Sequence, residues 1–371
     1  MKKLLCFVCA VLIAVLLTVS CASVKGTVDY SSPVYKGVRG EQPAYTYLVL
    51  DEEYRSPDGD YTIPYTENAV EVAKATGTIR FYFMVGERWL LDTGVDAAYL
   101  GDSTLVVFPD GQTMLIDGGR YQYASILVQN LRKLGIEKLD YVLLSHMHND
   151  HYGVLWTARG IFANFPVGTL IWNGSYNTTD STMTGFNDAV AKYGIKLVRV
   201  EKGDSFDIGD VHFDIYGPVE YDLVGEQVPE TKLNNSSIVA KMTYGDFKAL
   251  FAGDLYVEGE WRVLEANEPG VLDVDLLKSN HHGQPTSSST EWIEATTPRV
   301  VFSTTSPSDT LYMRFSKVGA RVFSDYMDGY LRVVSDGYNC EVTAAIPRES
   351  THYINFDKLV ETRYPGSFPD R

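Results

Sequence analysis

From about residue 104 onward the chain alternates short apolar runs with stretches of helical spacing, the rhythm of an α/β protein. Thr104-Leu-Val-Val-Phe108 and Thr113-Met-Leu-Ile116 flank Pro109-Asp-Gly111 and predict a hairpin. Ile126, Leu127, Leu131 and Leu134 share one helical face over 121–134, and Gly135 ends that segment. Apolar runs predict further strands at 140–144, 168–172, 195–200, 211–216, 237–243, 248–251, 274–278, 299–302 and 330–334. Helices are predicted near 181–193, 257–266, 288–295 and 311–318, with a loop over 217–233. Strands and helices interleave throughout, which fits a two-layered β core with helices outside. Ahead of this, Thr78–Met84 alternates apolar and polar positions and predicts a strand within a short β-rich extension over 46–92.

The N-terminus follows another pattern. Lys2 and Lys3 precede an apolar run, Leu4–Val19, that is short for a membrane span of about 20 residues and matches an export signal over 1–20. Leu17-Thr-Val-Ser-Cys21 reads as a lipoprotein signal, with Cys21 the lipidated first residue, ahead of plain cleavage after Ala22 or a retained anchor as the alternatives. The expected product is exported and membrane-anchored through lipid. Residues 21–45 are polar and read as a tether, and 346–371 as a C-terminal tail. Cys6 and Cys9 fall in the leader and Cys21 is the anchor, which leaves Cys340 and no disulfide framework. The formal net charge is −16. Loss of Lys2 and Lys3 makes it more negative still, and no Lys/Arg run forms a basic groove. Nucleic acid is therefore disfavoured as a partner.

The candidate chemistry lies at strand ends. Ser145-His-Met-His-Asn-Asp-His151 packs three imidazoles and a carboxylate just past a buried strand. Such donors suit zinc and other first-row metals. His146 and His148, two apart on extended chain, point the same way and can share one metal. Asp150 and His151 follow where the chain turns and can face a second. A plain polar loop would not need four potential ligands so close together. Gly253-Asp254 and Asn280-His281-His282-Gly283 also follow predicted strands. Asp254 could bridge two metals. Adjacent histidines usually diverge, so one of His281 and His282 reads as a ligand and the other as a proton donor or substrate contact. His212, mid-strand, reads as an ordinary strand residue, and His352 as a solvated one.

The order His-x-His-x-Asp-His, Gly-Asp, His-His-Gly resembles the metallo-β-lactamase superfamily. Leu100-Gly-Asp102-Ser103, Ile116-Asp-Gly-Gly119, Asn234-Asn-Ser-Ser237 and Gly329-Tyr-Leu-Arg332 resemble, within it, the ComEC-like hydrolase domain and related phosphorylcholine esterases. The resemblance implies an αββα four-layer sandwich over 93–345 with a dinuclear site on one edge. His146 and His148 would hold one metal, Asp150 and His151 with His281 or His282 the other, and Asp254 would bridge. Asn234-Asn235 occupies the place of a further histidine, which leaves the first metal less fully ligated. The implied cofactor is two divalent ions, zinc first, with manganese or iron as alternatives. The expected reaction is hydrolysis of a phosphodiester or related ester on a small-molecule or cell-envelope substrate, with Asp150, His281 or His282 handling protons. The competing expectations are a nuclease and a surface binding protein with a vestigial metal site.

Overall fold

The computed structural model describes residues 35–38, 46–47, 74–84, 101–176, 182–219, 228–229, 232–304 and 307–344. The expected leader (1–20) and tail (346–371) lie outside these residues. Two sheets face each other. One contains β1 (Tyr35–Val38), β2 (Thr46–Tyr47), β3 (Ile79–Phe83), β4 (Thr104–Val107), β5 (Thr113–Ile116), β6 (Leu139–Leu143), β7 (Val167–Trp172), β8 (Lys196–Arg199), β16 (Leu331–Ser335) and β17 (Asn339–Ala344). Its order is β1-β17-β16-β3-β4-β5-β6-β7-β8, with β2 beside β17. The other contains β9 (Ser205–Ile208), β10 (Val211–Gly217), β11 (Val239–Tyr244), β12 (Phe247–Phe251), β13 (Leu276–Lys278), β14 (Val300–Ser303) and β15 (Arg321–Ser324), in the order β15-β14-β13-β12-β11-β10-β9.

The central strands are apolar on both faces, because each sheet is covered on both sides. In β3, Ile79, Phe81 and Phe83 enter the layer between the sheets, while Tyr82 joins the outer, helix-covered layer. Met114 and Ile116 of β5 point inward and Leu115 outward. In β12, Ala249 and Phe251 point inward and Leu250 outward. Phe83 stacks on Phe302 across the sheets at 4.4 Å between ring centroids, and on Phe251 at 6.2 Å. Burying each such ring stabilises the fold by roughly 2–3 kcal/mol, before any gain from the ring pairs.

Helices α1 (Ala124–Lys133), α2 (Asn149–Trp156), α3 (Ile161–Asn164) and α4 (Thr182–Tyr193) cover the first sheet. Helices α5 (Val257–Glu265), α6 (Thr290–Thr296) and α7 (Asp309–Lys317) cover the second, and α8 (Asp325–Asp328) follows β15. The result is the αββα sandwich. Both sheets are mixed. Strands β5 to β8 are parallel, as are β12 to β15. The loops leaving the C-terminal ends of parallel strands form the crevice in which α/β proteins build sites.

Two boundaries differ from the sequence expectation. Strand β3 sits between β16 and β4, so the sandwich reaches back across residue 93 and this part of the 46–92 stretch is integral to it. Residues 84–103 separate β3 from β4 in the chain, so no tight turn announces the pairing. Within the expected tether, Tyr35–Val38 pairs antiparallel with β17 as an edge strand. Edge pairing runs through backbone groups and leaves little apolar pattern to read.

Candidate metal centre

Five strand ends and one strand approach supply the site. Asp117 follows β5, Ser145 to His148 follow β6, Asp254 follows β12, and Thr304 follows β14. Lys278 closes β13 and is followed by His281 and His282, and Asp102 precedes β4. Asp150 and His151 lie in the first turn of α2, for which His148 is the extended N-cap. The chain therefore enters a helix where the sequence suggested only a turn. A carboxylate in a first helical turn is favoured by the helix dipole.

Close backbone approach fixes this corner. A Cβ on Gly101, where φ is +78°, would fall 1.6 Å from the Asp150 carbonyl oxygen. The Asp102 N–H donates to that same oxygen at 3.1 Å. On the facing sheet Gly253, at φ +51°, brings Asp254 past Ser237, whose Oγ accepts from the Asp254 N–H at 3.0 Å.

Six of the seven expected ligands converge. His146 Nε2 lies 3.0 Å from His148 Nδ1. The His146 ring is 4.2 Å from that of His151, and the His151 ring 5.3 Å from that of His282. The Nε2 atoms of His151 and His282 reach the same oxygen, Asp254 Oδ2, at 3.1 and 3.0 Å. Asp150 Oδ2 is 3.5 Å from His282 Nε2. The seventh, His281, turns away. Both histidines have positive φ, +46° and +57°, and this reversal makes their side chains diverge. His281 Nδ1 pairs with Thr286 Oγ1, and its ring meets Tyr256 edge-on at 4.9 Å, at a half-buried position on the rim. Of the adjacent pair, His282 faces the other donors and His281 faces outward.

Each central histidine is backed by a carboxylate. Asp117 Oδ2 lies 2.8 Å from His151 Nδ1, and Asp117 also accepts from the Ser145 N–H at 2.8 Å and its hydroxyl at 2.7 Å. Asp102 Oδ1 lies 3.0 Å from His282 Nδ1 and accepts from Thr304 Oγ1 at 2.7 Å. Lys278 pairs with Asp102 and lies 3.8 Å from Asp254 Oδ1. Behind the histidine loop, buried Glu260 accepts from Asn280 Nδ2 at 2.7 Å, from the Ser288 N–H at 2.5 Å and from the Ser289 N–H at 2.8 Å.

The electrostatics separate the histidines. Burial, with the His151 and His148 rings, holds His146 well below the usual histidine range, so its ring is neutral. At His151 burial also favours the neutral ring, but Asp254 and Asp117 outweigh it and raise the group well above that range. At His282 burial is likewise outweighed, by Asp254 and Asp102. Burial pushes Asp254 toward protonation, and His151 and His282 more than reverse this. Asp150 is held low against its burial by a hydrogen bond from His282 and the charge of His151.

Buried polar groups are nearly always paired, yet Asp254 Oδ1 and His151 Nε2 are buried and make no hydrogen bond among the described residues. His151 Nε2 lies close to Asp254 without hydrogen-bond geometry. Imidazole nitrogens backed by carboxylates, with unused donor atoms turned inward, fit a divalent ion. Asp102, His151, Asp254 and His282 each place a donor atom within 4.8 Å of the others. Asn235 does not supply a further ligand: its Oδ1 accepts from the Tyr256 N–H at 3.1 Å, at the start of α5. His212 is a strand residue near Asp207 (2.7 Å) and Asp214 (3.3 Å), far in sequence and sheet position from the centre. His352 lies outside the described residues.

Asp102, Asp117, Lys278 and Thr304 were not among the expected site residues. Asp117 and Thr304 sit immediately past strand ends, which was a usable signal. Asp117-Gly-Gly reads first as a turn, and Lys278 as the polar end of a strand.

The sequence model of the metallo-beta-lactamase superfamily matches residues 97–302. The ComE operon protein 3 of Bacillus subtilis (strain 168) is 28% identical over 231 residues, covering 58% of this chain and 27% of that protein. It supports the ComEC-like resemblance. An anaerobic nitric oxide reductase flavorubredoxin of Enterobacter sp. (strain 638) is 28% identical over 102 residues, covering 27% of this chain and 19% of that protein. The chain thus spans about a quarter or less of the curated relatives it matches. Among solved structures, the metallo-beta-lactamase fold protein YhfI from Bacillus subtilis aligns with a TM-score of 0.41 and 15% identity, covering 66% of this chain and 95% of that one.

Proposed function

The chain belongs to the metallo-beta-lactamase superfamily, and from that premise we propose that it is a metal-dependent hydrolase of a phosphodiester or related ester. The observation that carries the metal reading is the meeting of His151 Nε2 and His282 Nε2 at Asp254 Oδ2, with Asp254 Oδ1 left unsatisfied. Asp150, His151, Asp254 and His282 would hold one ion. His146 and His148, with Asp254 shared, would hold a second and weaker one, because Asn235 is committed to the backbone of Tyr256. Zinc suits the donors, as do manganese and iron.

A bound divalent pair supplies a water of lowered pKa and a clamp for the leaving oxygen. The protein's own groups do the rest. Asp117 and Asp102 fix the proton of each central imidazole on Nδ1 and turn Nε2 inward. Asp150, half-buried at the opening, accepts a proton from the attacking water. His281, on the rim against Tyr256, donates one to the leaving group.

We place the enzyme outside the cytoplasm, anchored through Cys21, on the strength of the Leu4–Val19 run and the Cys21 context. Among the described residues no helix is long and apolar enough to cross a membrane. The −16 charge supports a small or cell-envelope substrate over a nucleic acid. The test is turnover by the metal-loaded chain of bis(p-nitrophenyl) phosphate, p-nitrophenyl acetate, a chromogenic lactam and single-stranded DNA. Selective, metal-dependent cleavage of the diester supports the proposal. Cleavage of DNA alone supports a nuclease, and full metal occupancy without any turnover supports a binding protein.

A further inference from the structure

Asp102 lies close enough to the centre to be taken for a ligand, but both of its oxygens are committed. Oδ1 accepts from Thr304 Oγ1 and faces His282 Nδ1, while Oδ2 is paired with the Lys278 ammonium. Asp102 approaches from the first sheet, whereas Lys278, His282 and Thr304 all come from the second. The carboxylate therefore ties the histidine loop to the opposite sheet. Lys278 and Asp102 have side chains only 4% and 8% exposed. Lys278 also sits 3.8 Å from Asp254 Oδ1 and 3.4 Å from the Gly253 carbonyl oxygen.

A buried ion pair is a poor device for stability. Desolvating two charges costs about as much as their attraction returns, and apolar replacements of similar volume are often tolerated. A purely structural Asp102–Lys278 pair would be replaceable in this way with no effect on the centre. The geometry points to a different role: Asp102 is a positioning residue for His282, and Lys278 is the internal counter-cation that keeps Asp102 directed at His282 and away from the metal. Asp102 holds the imidazole proton on Nδ1, so the Nε2 lone pair faces Asp254 and Asp150. Lys278 occupies the outer oxygen of Asp102 and balances part of the negative charge gathered by Asp102, Asp117, Asp150 and Asp254. This inference rests on the metal reading above.

The test uses the full chain, stripped of metal and titrated separately with zinc and with manganese, following affinity by competition with a chelating dye. The pair replacement Asp102→Leu/Lys278→Met removes both charges together. Its expected result is an affinity about 10–100-fold below wild type, read on folded metal-free protein whose thermal midpoint also falls, because Thr304 and His282 lose their buried acceptor. Asp102→Asn, which keeps an acceptor for His282 Nδ1–H but not the charge, is expected to fall between the two and serves if the pair replacement does not fold. In the zinc-loaded wild type, the 15N resonances of His282 should report a proton on Nδ1, and in the pair replacement a mixture of tautomers. Wild-type affinity and a single His282 tautomer in either variant would overturn the proposal while leaving the metal site intact. No uptake of either ion by the wild type would overturn the metal reading, and the proposal with it.

Discussion

His282 Nε2 lies 3.0 Å from Asp254 Oδ2, although the two residues leave different strands and His282 reaches the contact only because its backbone adopts a φ of +57°. The neighbouring His281 has the same backbone handedness and ends on the rim. One local reversal thus assigns two adjacent imidazoles to different places, and the separation has measurable consequences.

Replacing the two histidines should give opposite phenotypes. His282→Ala removes an inward donor and is expected to weaken metal binding by more than about tenfold. His281→Ala should retain metal and lose turnover by about a hundredfold, the scale of a missing general acid. Metal titration and kcat measured on the same preparations separate the two. Loss of metal from His281→Ala would reverse the assignment.

The two halves of the centre should differ in affinity. Asp117 and Asp102 back His151 and His282, whereas on the His146 and His148 side, where the two rings meet at 3.0 Å, Asn235 is committed to the Tyr256 N–H. His148→Ala is expected to leave one tightly held ion per chain and abolish the weaker binding phase. Calorimetric titration of the metal-free variant tests this, and two retained phases would contradict it.

Metal and protons should compete. His151 and His282 are held well above the ordinary histidine value of 6.5 in the metal-free chain. The stabilisation they give that form is fully present below 6.5 and is lost as pH rises through their raised pKa values. Metal requires neutral rings, so uptake releases protons and affinity rises over the same range. Thermal midpoints compared between about pH 6 and pH 9 should therefore move together less and less: the metal-free protein loses stability with rising pH as the loaded protein gains on it. A constant difference between the two forms would contradict the pKa assignment.

Two residues outside the ligand set should matter for the fold of the site. Glu260→Ala leaves Asn280 Nδ2 and the Ser288 and Ser289 N–H groups without their buried acceptor, at a cost of at least about 2 kcal/mol. Gly101→Ala forces a Cβ against the Asp150 carbonyl oxygen in left-handed backbone and is expected to cost roughly 2 kcal/mol or more. Denaturant midpoints check both. Gly101→Ala should also lower metal affinity, because Asp150 must move.

The sandwich was legible in the sequence because strands buried on both faces read as continuous apolar runs, as in Leu105–Val107 and Leu276–Leu277. The candidate ligand clusters were legible because five histidines crowd into two strand-end segments. Three kinds of feature were hidden. Strands such as Ser205–Ile208 and Tyr35–Val38 are short, polar or at an edge and carry little periodic signal. The centrality of β3 depends on long-range pairing with β16, which local pattern does not contain. The supporting residues Asp102 and Lys278 lie far apart in sequence and become meaningful only when the facing sheets bring them together.

The most direct test is metal content by elemental analysis of the purified chain, wild type and Asp254→Ala, after equilibration with zinc, manganese or iron(II). The proposed two-metal centre predicts about two divalent ions per wild-type chain and almost none in the variant, because Asp254 is the carboxylate on which His151 and His282 converge. A folded wild-type protein that takes up no divalent ion, or an Asp254→Ala variant that retains a full complement, would contradict it.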